Sequence, residues 1–310
     1  VGFFLNKEGK KMKKTLIPFL ATLLVSSSIA YADVSVYGSL NYMLSNDDNA
    51  SGEAVMKAQN NGSKIGIDFS ESLPTVEGST QSITGFAKLE VGIDADDSGS
   101  DTFDSRLAYV GVDLGELGAV SGGRQSNPTD GVSKTNIFNV YGNNAVFTYA
   151  SRSSNSLKYE NSVGPVSISA LGVIDGASGK DGLDVTDISA STELGPLSVA
   201  AGLVDDRVNS VKYTVLSAGA ELAGLDLGAT YSMKDAATDL TGLEYTASKS
   251  FGDTTLAVGF GDKEGTAQYM TYGVSRSISD SLLTYAEYQT TDNDTGVDTT
   301  QMSAGLKFSF

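Results

Sequence analysis

The sequence predicts an all-β protein, a transmembrane antiparallel up-and-down β-barrel of about 16 strands. Three observations predict it: period-2 alternation recurs from residue 33 to the last residue, two unlike kinds of connection take turns along the chain, and the polar side of the alternation carries charge in mid-strand.

The chain begins with a segment that does not belong to this pattern. Leu16 to Ile29 is apolar, Lys13 and Lys14 precede it, and Ala30-Tyr31-Ala32 follows, which is the grammar of a secretory signal peptide cleaved after Ala32. The run is shorter than the roughly 20 residues a membrane-spanning helix requires. Met12 starts a complete leader by itself, so residues 1–11 read as an upstream start artefact, 12–32 as the signal peptide and 33–310 as the barrel domain. Removing 1–32 takes away five lysines and one glutamate, so the net charge moves from −17 to about −21.

That acidity argues against nucleic-acid binding, which draws on clustered Lys and Arg, and favours attraction of cations. The 310 residues include no cysteine and no histidine. An exported chain without disulfides must be held by its core or by complete strand pairing. Without histidine or cysteine, Ser-His-Asp and Cys-His catalysis and imidazole metal sites are excluded. No cofactor, metal ion or enzymatic activity is expected.

In the first strand Val34, Val36, Leu40, Tyr42 and Leu44 fall on one face, with Ser35, Tyr37, Ser39, Asn41 and Ser45 on the other. The same pattern sets Ile65, Ile67 and Phe69 against Lys64, Asp68 and Ser70, and Leu197, Val199, Ala201 and Leu203 against Ser198. In the last strand Met302, Ala304, Leu306, Phe308 and Phe310 oppose Gln301, Ser303, Lys307 and Ser309. Short connections lie at Gly115 to Gly118, Val163 to Pro165, Gly195-Pro196, Ala223-Gly224, Gly252-Asp253 and Ser279-Asp280. Longer acidic ones lie at Asn46 to Asn60, Ala95 to Thr102, Gly176 to Asp184, Asp235 to Leu240 and Asp292 to Asp298. One edge of the sheet therefore carries turns and the other loops, the asymmetry of outer-membrane barrels.

Closure follows from three facts. Lys64, Lys88, Glu90, Lys158, Glu160 and Glu244 stand on the polar face in mid-strand, where a water-filled lumen accepts them. A membrane tolerates no unpaired sheet edge. Mean hydropathy is only −0.08, as expected when alternate residues alone touch lipid. With no Trp, the interfacial girdle must come from the 14 Tyr and 12 Phe. A barrel of this strand number is too wide for its own side chains to fill, so it holds water and passes small hydrophilic solutes and ions.

Residue matches now point to a family. VSVYGSLNY at the start, SRLAYVGVDLGELGAVSGGRQ (Ser105 to Gln125) and the terminal LKFSF resemble the general diffusion porins of Gram-negative bacteria, trimers of sixteen-stranded barrels. The resemblance implies an outer-membrane homotrimer, contact with bilayer and lipopolysaccharide, and recruitment of the barrel-assembly machinery through Phe310. It also implies an inward-folded third loop, Ser126 to Ala150, facing a basic wall across a constriction. Phe138, Tyr141, Phe147 and Tyr149 are the candidates for packing that loop inside. Lys64, Arg106 and Arg124 match basic wall positions, and Arg152 lies close to another but displaced. Ser39 stands where relatives often carry Lys. The family's Pro-Glu-Phe-Gly-Gly signature is absent, and Asp130 is the one acid between Ser126 and Ala150. Either the constriction field is weak, or the opposing acids come from elsewhere.

Two tensions remain. Strict alternation would put Arg106 on the face of Val110 and Val112, which a covering loop or a β-bulge would resolve. Acids crowd the expected external loops (Asp94, Asp96, Asp97, Asp101, Asp104, Asp205, Asp206, Asp292, Asp294) while the narrowest region reads as basic, and we expect a weak cation preference from the balance. Asp94 to Gly99 is a solvated loop and not a calcium loop, because Ser105 stands where the bidentate Glu is required. A substrate-specific channel, a soluble exported β-rich adhesin and an outer-membrane hydrolase are the competing readings.

Overall fold

Neighbouring side chains of the first strand meet opposite surroundings: Leu44 is 56% exposed and Ser45 only 2%. A computed structural model shows this inversion throughout the residues it describes, 33–48, 53–73, 83–96, 102–176 and 182–310. The expected signal peptide and the tips of several connections lie outside them. Buried positions are largely polar, such as Thr230, Ser232 and Gln289, while Leu203, Leu216, Leu306 and Phe308 are exposed. A membrane barrel requires this arrangement, with apolar side chains meeting hydrocarbon and polar ones lining the lumen.

The strands are β1 (Asp33–Asp48), β2 (Ala54–Asn60), β3 (Lys64–Leu73), β4 (Ile83–Ile93), β5 (Phe103–Asp113), β6 (Ala119–Ser126), β7 (Arg152–Val163), β8 (Val166–Val173), β9 (Val185–Leu194), β10 (Leu197–Asp206), β11 (Val211–Leu222), β12 (Leu225–Asp235), β13 (Leu240–Phe251), β14 (Thr254–Lys263), β15 (Ala267–Ser277), β16 (Leu282–Asn293) and β17 (Thr299–Ser309). Each pairs antiparallel with its chain neighbour from β3 to β17, and β1 pairs with β17, β2 and β3. The ring is therefore closed. Gly38 N–H donates to Phe310 O at 2.9 Å and Phe310 N–H to Gly38 O at 3.1 Å, sealing the seam between the first and last strands.

Seventeen segments make sixteen staves, because β2 and β3 are two halves of one stave lying against β1. The interruption falls at Asn61-Gly62-Ser63. There Asn61 N–H donates to Asn41 O at 2.8 Å, and the Ser63 hydroxyl takes Asn41 N–H at 2.9 Å, so side chain replaces backbone in the ladder. One expectation is corrected here: of the stretch Asn46 to Asn60 expected to be a loop, Asn46 to Asp48 and Ala54 to Asn60 are strand. Asp47 and Asp48 pair with Val55 and Ala54, so the hairpin runs on beyond the alternating region. Polar strand ends in water need no apolar face, and the alternation that revealed the other strands is absent from them.

The tight turns come where expected. Gly164-Pro165 and Gly195-Pro196 place glycine first with φ of 60° and 64°, the type II′ arrangement, and Ala223-Gly224 takes φ of 53° and 70°, as type I′ requires. These turns share one rim with the chain's C-terminus, and the longer connections share the other.

Candidate functional site

Residues 127–151, between β6 and β7, turn inward and lie against the far wall, which uses carboxylates to grip them. Glu287 on β16 accepts the backbone N–H groups of Asn139, Val140 and Tyr141, the last two at 3.0 Å each. Glu244 on β13 accepts those of Asn143 and Ala145, both at 3.1 Å. Asp187 on β9 takes the N–H and hydroxyl of Thr129 at 3.1 and 2.8 Å. Hydroxyls finish the row: the Thr230 Oγ1 accepts from Lys134 N–H, Ser232 Oγ from Phe147 N–H at 2.8 Å, and Ser217 Oγ donates to Val132 O. A loop without regular structure leaves its N–H groups unpaired, and inward wall positions of matching spacing satisfy them.

The loop's aromatics pack as their apolar character suggests. Phe138 lies over Gly259 and Gly273, where no side chain intervenes. Tyr141 is buried and its hydroxyl donates to Asp47 at 2.9 Å. Phe147 sits beneath Lys263, with the ammonium 4.9 Å from the ring, and Tyr149 packs on Tyr213. Close approach also demands Gly242, since a Cβ there would strike the Ala145 carbonyl. Gly242→Ala is therefore expected to lift Ala145 off Glu244 and to raise open-channel current noise without lowering the heat stability of the barrel, as planar-bilayer recordings and heat-shifted gel mobility will show.

Across the lumen stands a charged wall built on β1, β3, β4 and β5. Glu90 is its hub and only 4% exposed. Its carboxylate takes the Arg106 Nε–H at 2.6 Å, the Tyr37 hydroxyl at 2.9 Å and the Lys64 ammonium at 3.1 Å. Lys88 pairs with Asp68 at 3.0 Å and lies 4.5 Å from the centre of the Tyr37 ring. Lys158 pairs with Glu160 at 2.8 Å. A bulge explains how Arg106 comes inward: Glu90 faces Leu107 and Val91 faces Ser105, leaving Arg106 as the extra residue. One added residue returns Val110, 64% exposed, to the outer face while Arg106 joins Glu90 inside.

The candidate bases separate. Lys64 and Arg106 meet at Glu90. Arg152 opens β7 opposite Ser126, within electrostatic reach of Arg106, Glu90, Asp130 and Arg124, and its buried Nε has no hydrogen-bond partner among the described residues. Asp130 is exposed on the 3-10 turn Pro128–Gly131 of the inward loop. A recess of about 790 Å³ opens there, lined also by Lys158 and Glu160. Arg124 is different. It pairs with Ala108, which pairs with the outward Leu89, so its backbone position belongs to the outer face, and its guanidinium donates to Ser105 O and Ser154 Oγ at the rim.

Acids near the loop do come from elsewhere in the chain: Glu287 and Glu244 accept its backbone N–H groups. The acids stand behind the loop, on the wall that holds it. Glu244 was legible as an inward charge, but Glu287 and Asp187 were not singled out. Their signal was an acid at an inward position of TYAEYQT and TDISAS, opposite a loop rich in unpaired N–H groups.

Comparison with known proteins places this architecture. A family model described as Gram-negative porin matches residues 20–296. An anion-selective porin from Comamonas acidovorans shares the fold with a TM-score of 0.73 at 18% identity, over 90% of this chain and 100% of that one. A loop-deletion form of the Vibrio cholerae outer membrane protein OmpT superposes with 0.73 at 16% identity, over 91% and 100%. OmpF of Salmonella typhi, solved with daunomycin, gives 0.71 at 17% identity, over 89% and 97%. No curated protein matches the chain in sequence.

Proposed function

Since the chain belongs to the Gram-negative porin family, we propose that its selective eyelet lies between the Glu90 hub and the inward loop. The protein is a passive diffusion channel of the outer membrane. The observation that carries the eyelet reading is the opposed placement of charge: Lys64, Arg106 and Arg152 on one side, and Glu244 and Glu287 behind the loop on the other. Backbone N–H groups are neutral donors, so gripping the loop does not cancel the charge of those acids.

Small hydrophilic solutes and ions pass this transverse field, and the acid-rich rim at Asp94, Asp96, Asp292 and Asp294 enriches cations before they enter. Three of the wall bases already have carboxylates beside them, at Glu90 and Asp68. The net result is a weak cation preference. Reversal potentials across a potassium chloride gradient test it: a modest excess of potassium over chloride permeability is expected, and clear anion selectivity would refute it. Arg152→Ala removes a base that joins no ion pair among the described residues and should increase the cation preference by about twofold or less, because its charge is partly screened within a Debye length of about 8 Å. Graded neutral sugars added to the same bilayers measure the pore's cut-off.

The working unit is a homotrimer, with Phe310 serving assembly and the loop rim facing lipopolysaccharide. Conductance that rises in groups of three steps is the expected record, and isolated single steps would count against trimers. The chain performs no catalysis on this reading, and its solutes leave chemically unchanged.

A further inference from the structure

The recess of about 790 Å³ beneath the start of the inward loop carries a chemistry that the eyelet does not use. Its roof is formed by the loop from Asn127 to Val132, held down where Thr129 grips Asp187 on β9. Thr129 and Val132 also lie over Gly202 on β10, where a Cβ would meet the Thr129 methyl. The lining continues down to Gly115, Glu116 and Gly118, so the recess reaches from the loop to the turn rim. Solute that has passed the loop meets it before leaving the barrel.

Strand register makes its wall a grid of hydroxyls. Ser189 and Ser191 continue the inward face of Asp187 along β9 and stand directly opposite Ser169 and Ser167 on β8. Ser162 on β7 faces Ser167, with their hydroxyls 3.1 Å apart. The grid repeats about every 4.8 Å across strands and about every 6.8 Å along them. On its far side β10 brings only Ala200 and Gly202 opposite Ser191 and Ser189, so no bulky side chain covers it there. Two oxygens of the recess have no hydrogen-bond partner among the described residues: Ser169 Oγ in the wall, and Oδ1 of Asn127, 3% exposed, in the roof. A buried acceptor left unpaired is a net cost, which an entering hydroxyl removes.

We propose that this recess is a weak binding subsite for a small uncharged carbohydrate, a mono- or disaccharide, on the periplasmic side of the inward loop. The proposal rests on the diffusion-channel reading, which brings solute to it. Serine hydroxyls both donate and accept, as sugar hydroxyls do, so a grid of them matches a polyhydroxylated solute better than an ion. Charge narrows the class further. Lys158 is paired with Glu160 at 2.8 Å, and Asp113, Glu116 and Asp130 join no ion pair among the described residues, so a sugar acid is repelled. The volume lies within the ~300–1,000 Å³ of small-molecule sites. Among the described residues no aromatic ring lines it, so the sugar has no face to stack on and is held weakly. Weak holding suits a channel, because a solute held firmly does not leave.

Current noise of the full protein in planar bilayers tests this, with sucrose, a polyethylene glycol of equal hydrodynamic radius, and the disaccharide acid lactobionate as probes. Sucrose is expected to lower the current with saturation and to add excess noise, whereas the glycol should lower it in proportion to concentration. Lactobionate in excess should fail to displace sucrose. Ser169→Ala/Ser189→Ala should raise the half-saturating sucrose concentration by about fivefold or more. Conductance and reversal potential in potassium chloride should stay as they are, since that variant moves no charge. Equal responses to sucrose and the glycol, displacement by lactobionate, or unaltered saturation in the variant overturns the proposal. A channel that conducts normally without sucrose saturation overturns the subsite alone and leaves the recess to water. A protein that opens no channels overturns the diffusion reading and the subsite with it.

Discussion

Glu287→Ala will convert a steady open channel into a flickering one. Three consecutive N–H groups of the loop converge on that carboxylate, and no other described acceptor on β16 replaces it for Val140 and Tyr141. A hydrogen bond to a charged group contributes ~1.5–3 kcal/mol, so loss of the cluster weakens the latch by ~3 kcal/mol even if water takes over part of the role. The population of any unlatched conformer would then rise by about two orders of magnitude. Glu244 still holds Asn143 and Ala145, and Asp187 still holds Thr129, so the loop pivots without leaving the lumen. Barrel stability should hardly change, because no strand ladder passes through Glu287's side chain. Current noise, sugar cut-off and heat-shifted mobility read these separately. A quiet channel with an unchanged cut-off would show that the loop keeps its place without this latch. Glu287→Gln should fall between the two, since its amide oxygen still accepts but carries no charge.

How much of this was legible depends on which force wrote each feature. Alternation exposed the barrel because hydrocarbon and water flank every stave, so Leu40, Tyr42 and Leu44 had to differ from Asn41 and Ser45. Turn chemistry exposed the rims, since Gly-Pro and Ala-Gly pairs answer to local dihedral demands. The strand ends at Asp47 and Asp48 were missed because water makes no such demand. The bulge at Arg106 was foreseeable as a conflict of register but not as a geometry, because an extra residue is invisible until its partner strand is known. Lys64 and Arg106 could be chosen by their place in a recognisable stretch, and the same logic misplaced Arg124. One residue from Gln125, it took the outward side of an irregular β6–β7 pairing that shifts between Gly123 and Gln125. The latch acids escaped because they answer to the loop's backbone, which has no residue type to advertise it.

Glu90→Gln is expected to reverse the ionic preference of the pore. Two cations and a phenol converge on a carboxylate that is nearly inaccessible, whereas the side chains of Lys64 and Arg106 keep 34% and 24% of their exposure. Neutralising the acid leaves both bases charged at the proposed eyelet and adds one full positive charge to the wall. At an effective dielectric constant of 20, a unit charge 4 Å away is felt at ~4 kcal/mol before ions screen it, against ~1 kcal/mol in bulk water. A change of half the former at the eyelet exceeds thermal energy and outweighs rim acids standing in open water. Reversal potentials should therefore change sign, with chloride becoming the more permeant ion. Stability responds less: the ~3–5 kcal/mol lost when one partner of a dry ion pair is removed is an upper bound, because lumen water reaches both bases. Adding Lys64→Met to Glu90→Gln should return the potential toward its original value, and the pair of changes should be less than additive in heat stability. If Glu90→Gln leaves the reversal potential where it was, the eyelet does not lie at Glu90, and selectivity must be set at the mouth.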